Sequence, residues 1–251
     1  MSAIKALILL LVCSISVASS AQQYNIPFVP HAVSGGPLSV VSRATTGCTL
    51  ANPATINMPA TVNSGDLLLA FIYIGENSVS VTTPPSGWTT IFTQLGSNSD
   101  GFLALFSKIA DGTEDGTTIS VTTNTAGQTY QAQSFAIANP HGATSSDIEY
   151  SVTIPGAVSN PNPPSLTPSW GSLATMWITG TAFQDDDEDV TTWPTGYDTN
   201  GISNSCGLGD NASANIALSY RIATAASEDP SAFTLSFTEL TIAFTVGVRP
   251  Q

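Results

Sequence analysis

Hydrophobic positions along this chain fall into two patterns, and neither has helical spacing. In residues 240–248, Leu240, Ile242, Phe244, Val246 and Val248 alternate with Thr241, Ala243, Thr245 and Gly247. Such strict alternation predicts a strand with one buried face. Phe233, Leu235 and Phe237 alternate with Thr234 and Ser236 in the same way. The stretch 66–74 differs, because Leu67-Leu68-Leu69-Ala70-Phe71-Ile72 is apolar at every position. It predicts a central strand covered on both faces. Short β-branched and aromatic runs recur through the rest of the chain, separated by Gly, Pro, Asn, Asp and Ser. That punctuation predicts an all-β sandwich or barrel.

The pattern is duplicated. Gly65-Asp66-Leu67-Leu68-Leu69-Ala70 is echoed by Gly171-Ser172-Leu173-Ala174-Thr175-Met176, and Pro85-Ser86-Gly87-Trp88 by Pro194-Thr195-Gly196-Tyr197. Leu105-Phe106-Ser107-Lys108-Ile109-Ala110 is echoed by Leu218-Ser219-Tyr220-Arg221-Ile222-Ala223. The order is the same in both sets, and each ends in an alternating strand, 128–137 and 240–248. A half of this size falls short of an ordinary domain. The expectation is therefore one antiparallel, jelly-roll-like β-sandwich over 37–251. Its pseudo-repeated halves are about 37–154 and 169–251, joined by a Pro- and Asn-rich segment, 155–168.

In order, Ser64-Gly65-Asp66-Leu67-Leu68-Leu69, Pro84-Pro85-Ser86-Gly87-Trp88, Leu105–Ala110 and the closing Gly247-Val248-Arg249-Pro250 resemble a widespread, uncharacterised module of bacterial extracellular and phage tail or fibre proteins. The resemblance covers about 38–250. Its motifs are structural, so it supports the sandwich and implies an extracellular structural or binding role only by association.

Residues 1–21 read as a cleaved export signal: Lys5, the apolar run 6–12, then Ser19-Ser20-Ala21 ahead of Gln22. The run is shorter than the ~20 residues that span a bilayer, so secretion without membrane insertion is expected. Removing Lys5 leaves four basic residues, Arg43, Lys108, Arg221 and Arg249, against 18 acidic ones. Nucleic acid is excluded as a partner, since phosphate binding needs clustered cations. An anionic membrane surface is excluded on the same ground.

Few side chains suggest chemistry. Cys48 and Cys206, the cysteines that survive cleavage, are expected to form a disulfide in an oxidising compartment. Closing so long a loop is worth on the order of 4–5 kcal/mol in the chain-entropy account. Asp185, Asp186, Asp187, Glu188 and Asp189 form a dense acidic run. It reads as a solvated loop or, with hard oxygen donors, as a Ca²⁺ site; no other cofactor is suggested. Asn211-Ala212-Ser213 is a complete N-glycosylation sequon. His31 and His141 stand outside any Gly-x-Ser-x-Gly or His-Glu-x-x-His pattern, so no enzyme is expected. Trp88 and Tyr197 read as core plugs after a glycine turn, with a sugar-stacking platform as the alternative. Lys108 and Arg221 read as strand cations that snorkel outward or meet a nearby carboxylate.

An extension, 22–36, precedes the sandwich. Tyr24, Ile26 and Phe28 form a strand-like apolar stripe, and Pro27 and Pro30 suit it to a sheet edge. The stripe could fold back on its own sandwich or add to a neighbouring copy. The functional expectation is a subunit of an extracellular filament or surface appendage whose partner is a copy of itself. A secreted carbohydrate-binding or adhesion module is the alternative.

Overall fold

Antiparallel pairing organises every strand of the computed structural model, which describes residues 36–184, 189–198 and 214–251. A five-stranded sheet has the order β1 (Ser39–Leu50), β8 (Thr129–Ala138), β3 (Leu67–Asn77), β6 (Asp100–Ile109), β5 (Thr89–Leu95). A four-stranded sheet has the order β12 (Asn215–Ala225), β10 (Leu173–Phe183), β14 (Glu239–Val248), β9 (Ile148–Val158). Two small sheets complete the fold: β2 (Ala54–Asn57), β7 (Thr118–Thr123) and β4 (Val81–Thr83) form one, and β11 (Val190–Thr192) and β13 (Thr234–Leu235) the other. The chain is an all-β antiparallel sandwich, and Ser34–Gln251 forms one compact unit.

The sequence repeat explains the two large sheets. In one the order is β1-β8-β3-β6, and in the other it is β9-β14-β10-β12, so each half of the chain folds into one sheet with the same strand order. β9 belongs to the second sheet because it pairs with β14. Residues 155–158, read from sequence as part of a join, are therefore strand, and 148–154 side with the second half. The ladders also refine the echo. Lys108 pairs with Leu68 and Arg221 with Trp177, whereas the motif echo would match Leu68 with Ala174. The true match lies three residues further along β10. An odd displacement exchanges the faces of a strand, which is why Leu69 faces the main core while Thr175 does not.

The main core lies between the large sheets. Leu67, Leu69, Phe71 and Tyr73 of β3 meet Met176 and Ile178 of β10 and Ile242, Phe244, Val246 and Val248 of β14. The other face of β3, Leu68, Ala70, Ile72 and Ile74, packs under Ala54, Ile56 and Val121 of the small three-stranded sheet. Both faces of β3 are thus covered, as its unbroken apolar run requires.

Two expectations need correction. β14 is buried on both faces, because the proline-rich segment folds back as a cover. Thr245 donates to the Pro164 carbonyl at 2.7 Å, and a Cβ on Gly247 would lie 3.3 Å from Trp170. Proline lacks a backbone donor, so this cover lies on the sheet as extended chain and not as another ladder strand. The alternation Phe233, Leu235, Phe237 also breaks: the first two are buried, but Phe237 is 62% exposed. Ser236 exchanges hydrogen bonds with the Asp189 backbone, bending the chain there and turning Phe237 outward.

Candidate functional site

The two repeated turns close identically. Trp88 N–H donates to the Pro85 carbonyl, and Tyr197 N–H to the Pro194 carbonyl, at 3.2 and 3.3 Å. Gly87 and Gly196 hold φ of 80° and 79°, the left-handed conformation that the third position of a type II turn requires. Each turn delivers its aromatic ring to the outer side of a large sheet. Trp88 packs, half-buried, against the cluster beneath the small sheet, while Tyr197 is buried with Leu166 and Trp177.

Beside each turn the repeated cation meets a carboxylate. Arg221 reaches Glu228 at 2.5 and 2.6 Å, its guanidinium lies 5.0 Å from the Tyr197 ring centroid, and the Tyr197 hydroxyl donates to Glu228 at 2.9 Å. Lys108 donates to Glu114 at 2.6 Å, and the Gly112 and Thr113 amides also donate to that carboxylate, each at 3.1 Å. Burial pushes the Glu114 carboxyl up, but the Lys108 ammonium and the Asp111 and Gly112 amides outweigh it and hold it below the ordinary value. Sequence reasoning named the cations and missed both carboxylates. A signal existed, for each lies six or seven positions downstream of its cation. These charges neutralise one another and pin the loops leaving β6 and β12.

Other charged groups are similarly occupied. Arg43 on β1 lies over the rings of Phe135 and Tyr220, 5.9 and 5.4 Å from their centroids, and 3.7 Å from Asp198. It closes the seam between β1 and β12. His141 Nδ1 lies 2.6 Å from Asp147, whose carboxyl also accepts bonds from Thr144. Burial raises the Asp147 carboxyl, but Thr144 and His141 together hold it below its usual range. The Asp147 carbonyl accepts from the Arg249 amide, so this group ties the loop before β9 to the end of β14. At one end of the sandwich, burial and the nearby Asp100 and Glu239 push the Tyr73 hydroxyl far above the usual phenol range.

Several residues singled out from sequence lie outside the described residues: Tyr24, Ile26, Phe28, His31, Cys206, Asn211, and Asp185, Asp186, Asp187 and Glu188 of the acidic run. Asp189 is described at the foot of β11, where its backbone meets Ser236. Cys48 is half-buried on β1. Among the described residues, no group of three His, Cys, Asp or Glu side chains is placed to hold a metal ion, and no helix is long and apolar enough to cross a membrane.

One side of the sandwich carries features the sequence did not single out. β5 pairs with β6 alone and β9 with β14 alone, so two edge strands lie side by side, with Phe92 and Tyr150 rings 4.7 Å apart. Leu95, Tyr150 and Ile154 are exposed there. Residues 89–95 and 150–158 contain no charged side chain in a chain of net charge −13. No family model, curated protein or solved structure matches this chain.

Proposed function

We propose that the mature protein is secreted and serves as a structural subunit of an extracellular filament or surface appendage, each copy engaging the next through residues 22–36. The observation that carries this reading is the adjoining pair of edge strands β5 and β9, whose only charged residue is Glu149. Edge strands of monomeric proteins are ordinarily blunted by charge, because their free backbone groups recruit other strands. The extension has the complementary character: residues 22–36 contain no Asp, Glu, Lys or Arg. A strand donated head-to-tail does not close on itself, so repetition builds a fibre. The resemblance to extracellular and fibre modules agrees with this role. Of the stacking platform read from sequence, Tyr197 is buried and Trp88 is half-buried against the cluster beneath the small sheet, which favours core packing over the carbohydrate-binding alternative.

Electron microscopy of the concentrated mature protein tests the reading. Filaments are expected from the full mature chain, and only folded monomer from a variant lacking residues 22–33. Normal filaments from the deletion variant would overturn it.

The proposal includes a bond between Cys48 and Cys206. Arg43, on the same strand as Cys48, reaches Asp198, which opens the segment holding Cys206. Intact mass after alkylation without reduction should show no added groups at these two positions. Two alkylated thiols would refute the bond.

A further inference from the structure

We propose that the strand acceptor is the outer edge of β9, with Tyr24, Ile26 and Phe28 of a second copy lying along Tyr150, Val152 and Ile154. This rests on the assembly reading above and assigns its receiving surface.

Ile148, Tyr150 and Val152 form a row on the core side of β9, Ile154 follows at the bulge, and the cover thins along the strand. Ile148 is fully buried and Val152 packs partly against the core. Tyr150 is 43% exposed and Ile154 38% exposed. The opposing sheet ends at β5, whose own Ile91 and Phe92 are already buried and whose exposed side chains are Thr89, Thr90, Thr93 and a single apolar one, Leu95. β9, and not β5, therefore carries the uncovered apolar row. Side chains on one face of a strand recur every second residue, so three positions of an added strand can cover Tyr150, Val152 and Ile154. Tyr24, Ile26 and Phe28 have that spacing.

Backbone chemistry agrees. Successive amides of a strand point to opposite edges. If Tyr24, Ile26 and Phe28 direct their amides to β9, Pro27 faces away, where its missing donor costs nothing. Pro30 falls on the bonding side and ends the ladder after Val29. On β9, the register shift between Thr153 and Gly156, together with φ of +83° at Gly156, ends the regular edge at Thr153 and leaves Ile154 at its margin. Both partners thus offer about five pairing residues.

Charge selects this place. Two copies of so acidic a chain repel one another, and contact costs least where neither side carries carboxylates. The charged groups bordering the row are Glu149, which accepts from Ser169, and Glu239, paired opposite Val158. Glu149 alternates to the opposite face of β9 and Glu239 lies beyond Ile154, so neither carboxylate enters the row.

The test uses the full mature chain with Tyr150→Lys and Ile154→Lys together, read by sedimentation velocity and electron microscopy. Both positions are exposed, so the thermal midpoint should stay near that of the unaltered chain. The concentration at which assembly begins should rise at least about tenfold. The matched β5 variant, Thr90→Lys with Thr93→Lys, should assemble normally. Normal assembly by the β9 variant overturns the acceptor assignment, and if the 22–33 deletion then abolishes assembly, the filament reading survives without it. Assembly lost in the β9 variant but kept in the deletion overturns the donor assignment. A monomeric unaltered chain at high concentration overturns both.

Discussion

Phe71→Ala should unfold at markedly lower urea concentration than the native chain, having lost about 3–5 kcal/mol of stability. Phe71 is fully buried at the middle of β3. Its ring stacks on Phe244 of the opposite sheet at 5.6 Å and meets Phe135 edge-on at 6.1 Å. Truncation removes the transfer free energy of the ring and leaves a cavity between two sheets whose backbones are held by ladders on either side, so little collapse can repair it. Chemical denaturation should show a lower midpoint at unchanged slope, and the thermal midpoint should fall by on the order of 10 °C. Phe237→Ala is the control: the same chemistry at a ring 62% exposed should change stability by no more than about 0.5 kcal/mol. Equal effects at the two sites would mean that Phe71 does not occupy the central core.

Arg221→Met should cost about 3–5 kcal/mol, because it strands a carboxylate that is almost completely buried. Glu228 has 2% of its side chain exposed and would retain only the Tyr197 hydroxyl among its side-chain partners. Lys108→Met, at the equivalent position, should cost less, about 1–2 kcal/mol, since Glu114 keeps its backbone amide donors. Adding Glu228→Gln to Arg221→Met removes the stranded charge and should restore part of the loss, a coupling that a double-mutant cycle reads directly. The pH dependence at Glu114 has a definite sign. Its carboxyl is held below the ordinary value, so its contribution is present above the unfolded pKa and lost as pH falls through the folded one. Glu114→Gln should therefore make the acid-unfolding limb shallower. Identical losses from Lys108→Met and Arg221→Met would contradict the difference in burial and donors on which the comparison rests.

How far the site was legible follows from what sequence encodes. The turn glycines could be read because only a residue tolerant of positive φ suits the third position of such a turn, and Gly87 and Gly196 both hold it. Lys108 and Arg221 could be read as a matched pair from repetition alone. Glu114 and Glu228 could be reached only through their similar spacing after the two cations, because taken alone an acidic residue in a loop looks the same whether it is solvated or folded under a sheet. The prolines of 155–168 read as a linker for a similar reason: local pattern shows that no ladder strand forms there, and it does not show that extended chain can lie flat over β14.

By itself the sequence determined the all-β class, the duplicated halves and the doubly covered centre of β3. Those features rest on period-2 side-chain direction and turn stereochemistry, which are local. Only the tertiary structure decided that each half makes its own sheet and that β9 joins the second. It also decided that the strand echo is displaced by three residues and that β5 and β9 lie together as edges whose only charged residue is Glu149. Each of these depends on which strands meet across long stretches of chain. Pairing partner and register are set by the summed burial of two sheet faces at once, a quantity that no single segment contains.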